Sequence, residues 1–152
     1  MKLYKLERTQ FLRISLEEAW EFFSSPRNLS KITPNGMGFD ITNNPPEIMQ
    51  PGMIITYKIK ALAGIAMNWV TEITHVQEPY MFVDEQRFGP YKFWHHTHYF
   101  KEVSDGVEMR DEVYYGLPLG ILGQIVHPII VGPKLKQIFD FRYIELEKFF
   151  NK

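Results

Sequence analysis

The stretch that decides the fold runs from residue 80 to residue 117 and reads YMFVDEQRFGPYKFWHHTHYFKEVSDGVEMRDEVYYGL. Apolar and polar residues alternate through most of it, which is typical of β-strands with two different faces. Gly89-Pro90 and Ser104-Asp105-Gly106 interrupt the alternation where turns are expected. The stretch therefore predicts three consecutive antiparallel strands joined by two short turns.

The alternation also assigns an inner and an outer face to these strands. One face of the third strand consists of residues that belong in water, namely Glu108, Arg110, Glu112 and Tyr114. Directly paired residues point to the same side of a sheet, so the inner faces of neighbouring strands must agree. A three-residue loop at 89–91 pairs Asp84 with His96, and a tight turn at 103–104 pairs His96 with Asp111. The sequence therefore predicts a row of Asp84, His96 and Asp111 on the inner face.

Charged side chains on an inner face need partners, because a buried carboxylate is costly unless it is paired. His96 and His98 share this face, and Arg142 and Arg8 come from other elements. The row is either an ion-pair network that fixes the C-terminal helix against the sheet or the polar end of an apolar pocket. A divalent metal on His96 and His98 has less support, since no third histidine is placed to help, and the sequence predicts no metal site.

After residue 117 the chain changes to a helical period. From Lys134 to Phe150, apolar residues recur at a spacing that places them on one helix face. The members of this stripe are Leu135, Ile138, Phe139, Tyr143, Leu146, Phe149 and Phe150. Arg142 lies inside the stripe, and Pro128 and Pro133 predict breaks just before the regular helix. A long C-terminal helix thus presents an apolar face and one arginine to the rest of the protein.

The chain before residue 80 supplies the remaining elements. Its first residues alternate like a strand up to residue 14, and Ser15 with Glu18 forms the capping box of a helix that Pro26 ends. A second short helix is predicted up to Pro34. The chain from Phe39 to about Leu117 predicts six consecutive strands, whose further turn signals are Asn43-Asn44-Pro45-Pro46, Pro51-Gly52, Ala63-Gly64 and Glu78-Pro79.

Together these elements give one α+β domain over residues 1–152. A curved seven-stranded antiparallel sheet wraps around the long C-terminal helix, and two short helices lie between strands 1 and 2. The space between a curved sheet and a helix is where a ligand site is expected. Aromatic residues make up 15% of the chain, which provides material for a packed interior or an aromatic-lined cavity.

Composition argues against several classes of function. The formal net charge is -1 and no cluster of Lys and Arg occurs, so nucleic acid is not an expected partner. The chain contains no cysteine and no nucleotide-binding or hydrolase motif, so no cofactor is expected. It also lacks the roughly 20 consecutive apolar residues of a membrane span and the apolar core of a signal peptide. We therefore expect a cytoplasmic protein with no transmembrane segment, and a homodimer is left open.

Several motifs resemble the START-like, or SRPBCC, superfamily of helix-grip domains, most closely a bacterial branch of stand-alone proteins. They are Phe22-Phe23-Ser24-Ser25-Pro26-Arg27-Asn28-Leu29, Ile32-Thr33-Pro34, Phe82-Val83-Asp84-Glu85-Gln86 with Gly89-Pro90, Trp94-His95-His96-Thr97-His98-Tyr99-Phe100, Leu117-Pro118-Leu119-Gly120, and Ile138-Phe139 with Arg142. The resemblance covers essentially the whole chain. It implies a seven-stranded helix-grip fold with a hydrophobic tunnel, in a superfamily that includes polyketide cyclases and dehydratases, lipid-transfer domains and the birch-pollen-allergen group.

Three functions remain open. Binding or carriage of a small hydrophobic molecule, such as a lipid or polyketide, needs only the cavity and is favoured. An enzyme of the cyclase or dehydratase type would use His96 or His98 as general acid or base, tuned by Asp84 or Asp111. A protein-interaction module would show an exposed apolar patch. The predicted ligand-binding residues are Trp69, Phe82, Asp84, Gln86, Trp94, His96, His98, Phe100, Asp111 and Arg142.

Overall fold

Seven antiparallel strands form one sheet in the computed structural model, which describes residues 1–62 and 64–152. The strands are β1 (Leu3–Leu12), β2 (Asp40–Ile41), β3 (Ile54–Leu62), β4 (Ile65–Gln77), β5 (Met81–Phe88), β6 (Phe93–Val103) and β7 (Gly106–Gly116). They lie in the order β1-β7-β6-β5-β4-β3-β2, so the predicted six-stranded meander is confirmed and β1 pairs with its last strand. The turn predicted at Ala63-Gly64 includes Ala63, which lies outside the described residues.

Helices fill the connection between β1 and β2 and form the C-terminus. They are α1 (Leu16–Phe23), 3-10 helices over Pro26–Ile32 and Asn35–Met37, α2 (Ile121–Val126), a π-helical turn (His127–Val131) and α3 (Gly132–Phe150). The predicted capping box is confirmed, because Ser15 accepts a hydrogen bond from the Glu18 main chain and the Glu18 side chain accepts one in return. The α+β helix-grip fold predicted from the sequence is therefore the observed one.

The helix from α2 to α3 differs from the prediction at its two prolines. Pro128 removes a main-chain donor and crowds the preceding turn, and the helix widens to a π-helical turn there instead of breaking. Pro133 follows directly on the π-helical turn, as the second residue of α3, and the helix passes through it as well. The C-terminal helical segment thus continues without interruption from Ile121 to Phe150.

The turn between β6 and β7 shifts the predicted register by two residues. Ser104 and Asp105 form the turn, with Val103 paired to Gly106, so His98 and not His96 lies opposite Asp111. Asp105 adopts a left-handed φ of 68°, a conformation that glycine takes more easily than other residues. Gly106 is needed one position later, because a Cβ there would lie 2.2 Å from the Leu12 carbonyl oxygen. An even shift keeps every side chain on its predicted face.

The buried face of α3 packs against the concave side of the sheet, but it is narrower than the predicted stripe. Leu135, Phe139, Arg142 and Leu146 are buried, whereas Tyr143 and Phe149 are exposed. The buried residues of α3 recur every three or four positions, as expected where only one side of a helix packs against a sheet. None of the described helices is both long and apolar enough to cross a membrane.

Candidate functional site

A cavity of about 130 Å³ lies between the concave face of the sheet, α3 and the segment from α1 to β2. Strands β3 and β4 contribute Ile55, Tyr57, Ile59, Trp69, Thr71 and Ile73 to its wall. Side chains alternate across a strand, so these residues follow one another on the same face at every second position. The wall is mainly apolar, and its aspartate, histidine and arginine side chains come from β5, β6 and α3.

Aromatic rings form the part of the wall near the β5–β6 loop. The ring of Trp69 lies 5.4 Å from that of Trp94 and 5.6 Å from that of Tyr91, in edge-to-face arrangements. Tyr57 stacks on the other side of Trp69, with ring centroids 5.8 Å apart. Such edge-to-face and offset contacts add to the stability gained by burying the rings. They fix the shape of this wall before any ligand binds.

Two aspartates and two histidines form a buried cluster beside these rings, and we call Asp84, His96, His98 and Asp111 the inner cluster. His96 Nε2 lies 2.9 Å from Asp111 Oδ1, and His98 Nε2 lies 2.8 Å from Asp84 Oδ2. The second nitrogens are also near carboxylates: His98 Nδ1 is 2.9 Å from Asp111 Oδ1, and His96 Nδ1 is 3.3 Å from Asp84 Oδ2. Each imidazole nitrogen thus lies within 3.3 Å of a carboxylate oxygen, although His98 Nδ1 makes no hydrogen bond among the described residues.

The cluster sets the protonation of its members. Burial alone would raise the pKa of Asp111, but the hydrogen bonds of His96 and His98 outweigh it and hold the pKa well below its usual range. Burial would lower the pKa of His98, and its contacts with Asp111 and Asp84 outweigh this and raise it. Burial and the neighbouring cation on His98 lower the pKa of His96. These pKa shifts favour the charged forms of Asp111 and His98 and the neutral form of His96.

Arg142 reaches this cluster from α3 but does not complete it. Its Nη1 lies 4.0 Å from Asp111 Oδ2, and its guanidinium lies over the Phe139 ring at 4.9 Å. The side chain is buried, and among the described residues its Nε has no hydrogen-bond partner. The indole Nε1 of Trp69, also buried, has none either. Both residues line the cavity, and so does His98, whose buried Nδ1 also makes no hydrogen bond within the described part of the chain, so three nitrogens there lack a partner from the protein.

The predicted row is confirmed in its placement, with the register corrected above. Asp84 pairs with His96 across β5 and β6, and Asp111 is buried on the same side of β7. Arg8, the other predicted cation, does not join the cluster, because its guanidinium donates to Asp140 on α3 at 2.8 Å.

Seven of the ten predicted site residues line the cavity, namely Trp69, Phe82, Asp84, Trp94, His96, His98 and Arg142. Gln86 instead closes the β5–β6 loop: its Nε2 donates to the Tyr91 carbonyl at 2.6 Å, and its Oε1 accepts from the Tyr91 N–H at 3.1 Å. Phe100 packs against Trp20 and Phe23 in the core. Asp111 lies behind the wall, where it holds the histidines that do line the cavity.

Sequence reasoning missed the wall that comes from outside the sheet, which consists of Phe22, Phe23, Ser25, Pro26, Asn28, Leu29, Ile32, Thr33, Met37, Phe39 and Met49. A usable signal exists in the first 3-10 helix. Leu29 and Ile32 are three residues apart, and a 3-10 helix has three residues per turn, so both fall on one side. The loop residue Met49 carries no comparable pattern.

The same residues could also hold a cation. Ligand atoms of Asp84, His96 and His98 lie within 4.8 Å of one another, which fits the first coordination sphere of a divalent metal. Each histidine nitrogen already faces a carboxylate oxygen, and a metal would have to displace those contacts. The contacts explain the cluster as an ion-pair network, so we propose no metal here.

Known structures share this fold at low sequence identity. Protein CV1439 from Chromobacterium violaceum superposes with a TM-score of 0.73 at 13% identity, covering 98% of this chain and 99% of that one. The major latex-like protein 151 of Panax ginseng gives a TM-score of 0.70 at 14% identity, covering 96% of each chain. Protein TTHA0849 from Thermus thermophilus gives 0.70 at 11% identity, covering 95% of each. These similarities show the fold alone.

No protein-family model matches the sequence, and no curated protein matches it either. The major latex-like protein shares the fold, but similarity at 14% sequence identity says nothing about a ligand or a reaction. The function of this chain therefore depends on the chemistry of the cavity and its wall.

Proposed function

We propose that the protein binds a small, mostly apolar molecule in the cavity between the sheet and α3 and carries it without changing it chemically. The observation that carries this proposal is the cavity itself, about 130 Å³ of space with a mainly apolar wall. A folded interior normally leaves few voids larger than a water molecule, because unfilled space costs packing energy. The resemblance to START-like domains, which include lipid-transfer proteins, supports the same function.

The size and the donors of the cavity narrow the ligand class. An apolar cavity of about 150 Å³ is large enough for benzene, so this one fits a single ring or the end of an acyl chain. Trp69 Nε1 and Arg142 Nε both need an acceptor. A ligand with an apolar body and a carbonyl or carboxylate group would satisfy them, as a fatty acid or a short polyketide would.

The alternative of a cyclase or dehydratase receives less support from the geometry. A general base needs a free lone pair within hydrogen-bond reach of its substrate. Every imidazole nitrogen of His96 and His98 lies within 3.3 Å of an Asp84 or Asp111 oxygen, so the carboxylates compete with a substrate for these groups. Carriage needs no such group, and we therefore prefer it.

Fatty-acid binding by the wild type and by a variant with a larger side chain in the cavity wall tests the proposal. Straight-chain fatty acids from hexanoic to tetradecanoic acid serve as probes, and quenching of Trp69 and Trp94 fluorescence reports binding. We expect saturable quenching in the wild type and at least tenfold weaker binding in Ile55→Phe, because Ile55 is a buried residue of the wall. Ile54→Phe is the matched control: it makes the same change one residue earlier on β3, where the side chain is 43% exposed.

Native mass spectrometry of protein purified from its own host would identify a retained ligand as added mass. Equal binding by the Ile55→Phe and Ile54→Phe variants would place the probes outside the cavity and overturn the proposal. Saturable binding of no probe, together with a native mass equal to that of the bare chain, would do the same.

A further inference from the structure

Exposed apolar side chains gather at one end of the molecule. Neighbouring strands are antiparallel, so the start of β1, the hairpin between β3 and β4, the loop between β5 and β6, and the end of β7 all lie at the same end of the sheet. The large apolar residues exposed there are Met1, Leu3, Ile65, Phe88, Leu119, Ile121, Leu122, Ile125, Val126, Ile129 and Ile130. We call this set the apolar end. It holds most of the exposed large apolar residues of the described chain.

The helical part of the apolar end is held with its apolar face outward. Ile121, Ile125 and Ile129 recur every four residues and are 75%, 57% and 71% exposed. The opposite side of this helix is packed: a Cβ on Gly123 would lie 2.3 Å from the Pro118 carbonyl oxygen, and the His127 ring stacks 3.6 Å from that of Tyr4. The His127 ring is also 2.7 Å from the Tyr115 hydroxyl. The outward face is therefore a fixed feature of the fold.

Charge around the apolar end has one sign. The sequence contains no Asp or Glu in residues 1–6, 48–71, 86–101 or 113–139, which include every chain segment at this end. The same segments carry Lys2, Lys60, Lys92 and Lys134. All Asp and Glu residues lie in the other segments of the chain, so the net charge of -1 is the sum of an excess of positive charge in these segments and of negative charge elsewhere. An apolar helix face at an end of the molecule that carries lysines and no carboxylates complements a surface that is apolar beneath a layer of negative charge.

We propose that the apolar end docks on the surface of a membrane that contains anionic phospholipids. The outward side chains of α2 and the π-helical turn enter the boundary between headgroups and acyl chains, and the lysines lie at the level of the headgroup phosphates. The helix lies in the plane of the interface. This docking does not depend on the cavity or on its ligand.

Vesicle binding by the full chain tests this docking. The probes are vesicles of phosphatidylcholine alone and of phosphatidylcholine with an equal part of phosphatidylglycerol, separated from free protein by flotation. The wild type should float with the anionic vesicles at low salt, bind neutral vesicles at least tenfold more weakly, and lose affinity as salt rises. The triple variant Ile121→Gln, Ile125→Gln, Ile129→Gln should lose at least tenfold in affinity for anionic vesicles.

A matched triple variant makes the same changes elsewhere. Ile48→Gln, Ile54→Gln, Ile144→Gln replaces three isoleucines that are 54%, 43% and 52% exposed but lie away from the apolar end, and it should bind like the wild type. Equal loss in the two triple variants, or no binding of wild type to either vesicle, would overturn the proposal. So would a dimer in analytical ultracentrifugation that only the first triple variant dissociates, because a second copy of the chain would then cover this surface. Fatty-acid quenching should be unchanged in both variants, which separates this test from that of the cavity.

Discussion

Strands β5 to β7 carry acid–histidine pairs on both faces of the sheet, and the pairs on the two faces differ in their exposure to water. On the outer face, His95 Nδ1 lies 2.7 Å from Glu85 Oε1, with side chains 31% and 23% exposed. On the inner face, His96 Nε2 lies 2.9 Å from Asp111 Oδ1, and both side chains are 5% exposed. His95 and His96 are neighbours in the chain. Distance alone therefore does not set the strength of such a pair, since water screens the outer pair and is largely excluded from the inner one.

The number of partners differs as well. Asp111 contacts His96, His98 and Arg142, and these contacts replace the hydration it loses on burial. The outer Glu85 also contacts Arg87, at 3.3 Å, but water can replace either partner. Removing one member of the inner cluster therefore leaves a buried charge without compensation, whereas removing a member of the outer pair does not.

The largest expected effect comes from removing the negative charge of Asp111. Asp111→Asn keeps the shape of the side chain but leaves His98 and Arg142 with fewer compensating charges in a buried site. We expect the free energy of unfolding to fall by about 3–5 kcal/mol, as for other broken buried pairs. Urea unfolding followed by circular dichroism measures it. A loss below about 1 kcal/mol would show that water reaches the inner cluster. The inner and outer faces of the sheet would then not differ in the way described above.

The fold was predictable because it depends on repeated signals. Period-2 alternation, paired turn residues and a helical stripe each recur over many residues, so a local error does not change the topology. The turn at Ser104-Asp105 shows the limit: the sequence does not reveal that Gly106 is required by the close approach of Leu12, which is distant in the chain. The short β2 has a similar cause, because the Asn43 side chain bonds to the main chain of Ile54 and Thr56 in place of a strand.

The site was predictable in part. Strand alternation placed Asp84, His96 and His98 on the cavity side, and an even error in register could not move them to the other face. The same alternation placed Gln86 on that side, but it could not show that a main-chain partner in the β5–β6 loop takes up its amide. Loop geometry decides which polar side chains of the inner face reach the cavity. The alternation of residues along a strand does not predict that geometry.

A change of pH should have a smaller effect on the free energy of unfolding. The pKa shifts of His98 and His96 have opposite directions, so they affect stability on opposite sides of pH 6.5. The raised pKa of His98, caused by Asp111 and Asp84, gives stability that is complete below the unfolded value of 6.5 and is lost as pH rises through the folded value. The lowered pKa of His96, caused by burial and by the cation on His98, gives stability that is present above 6.5 and is lost as pH falls through the folded value. Below pH of about 4, the lowered pKa of Asp111 adds a further loss.

Unfolding free energies measured from pH 4 to pH 9 should therefore peak near pH 6.5 in the wild type. His98→Asn should flatten the decline above the maximum, and His96→Asn should flatten the decline just below it. His95→Asn changes the neighbouring histidine on the outer face and controls for the substitution itself. If His98→Asn left the alkaline decline unchanged, another group would be responsible for it and the protonation assigned to the inner cluster would be wrong.

The smallest effect is expected from the outer pair. Glu85→Gln removes a carboxylate that contacts His95 and Arg87, both partly exposed to water, so the freed charges regain hydration and the free energy of unfolding should fall by less than about 1 kcal/mol. The small effect should shrink further as salt rises, because screening weakens exposed pairs more than buried ones. Asp111→Asn measured at the same salt concentrations should keep most of its effect. Equal losses of unfolding free energy for the two variants would mean that burial does not make the inner pairs stronger than the outer ones.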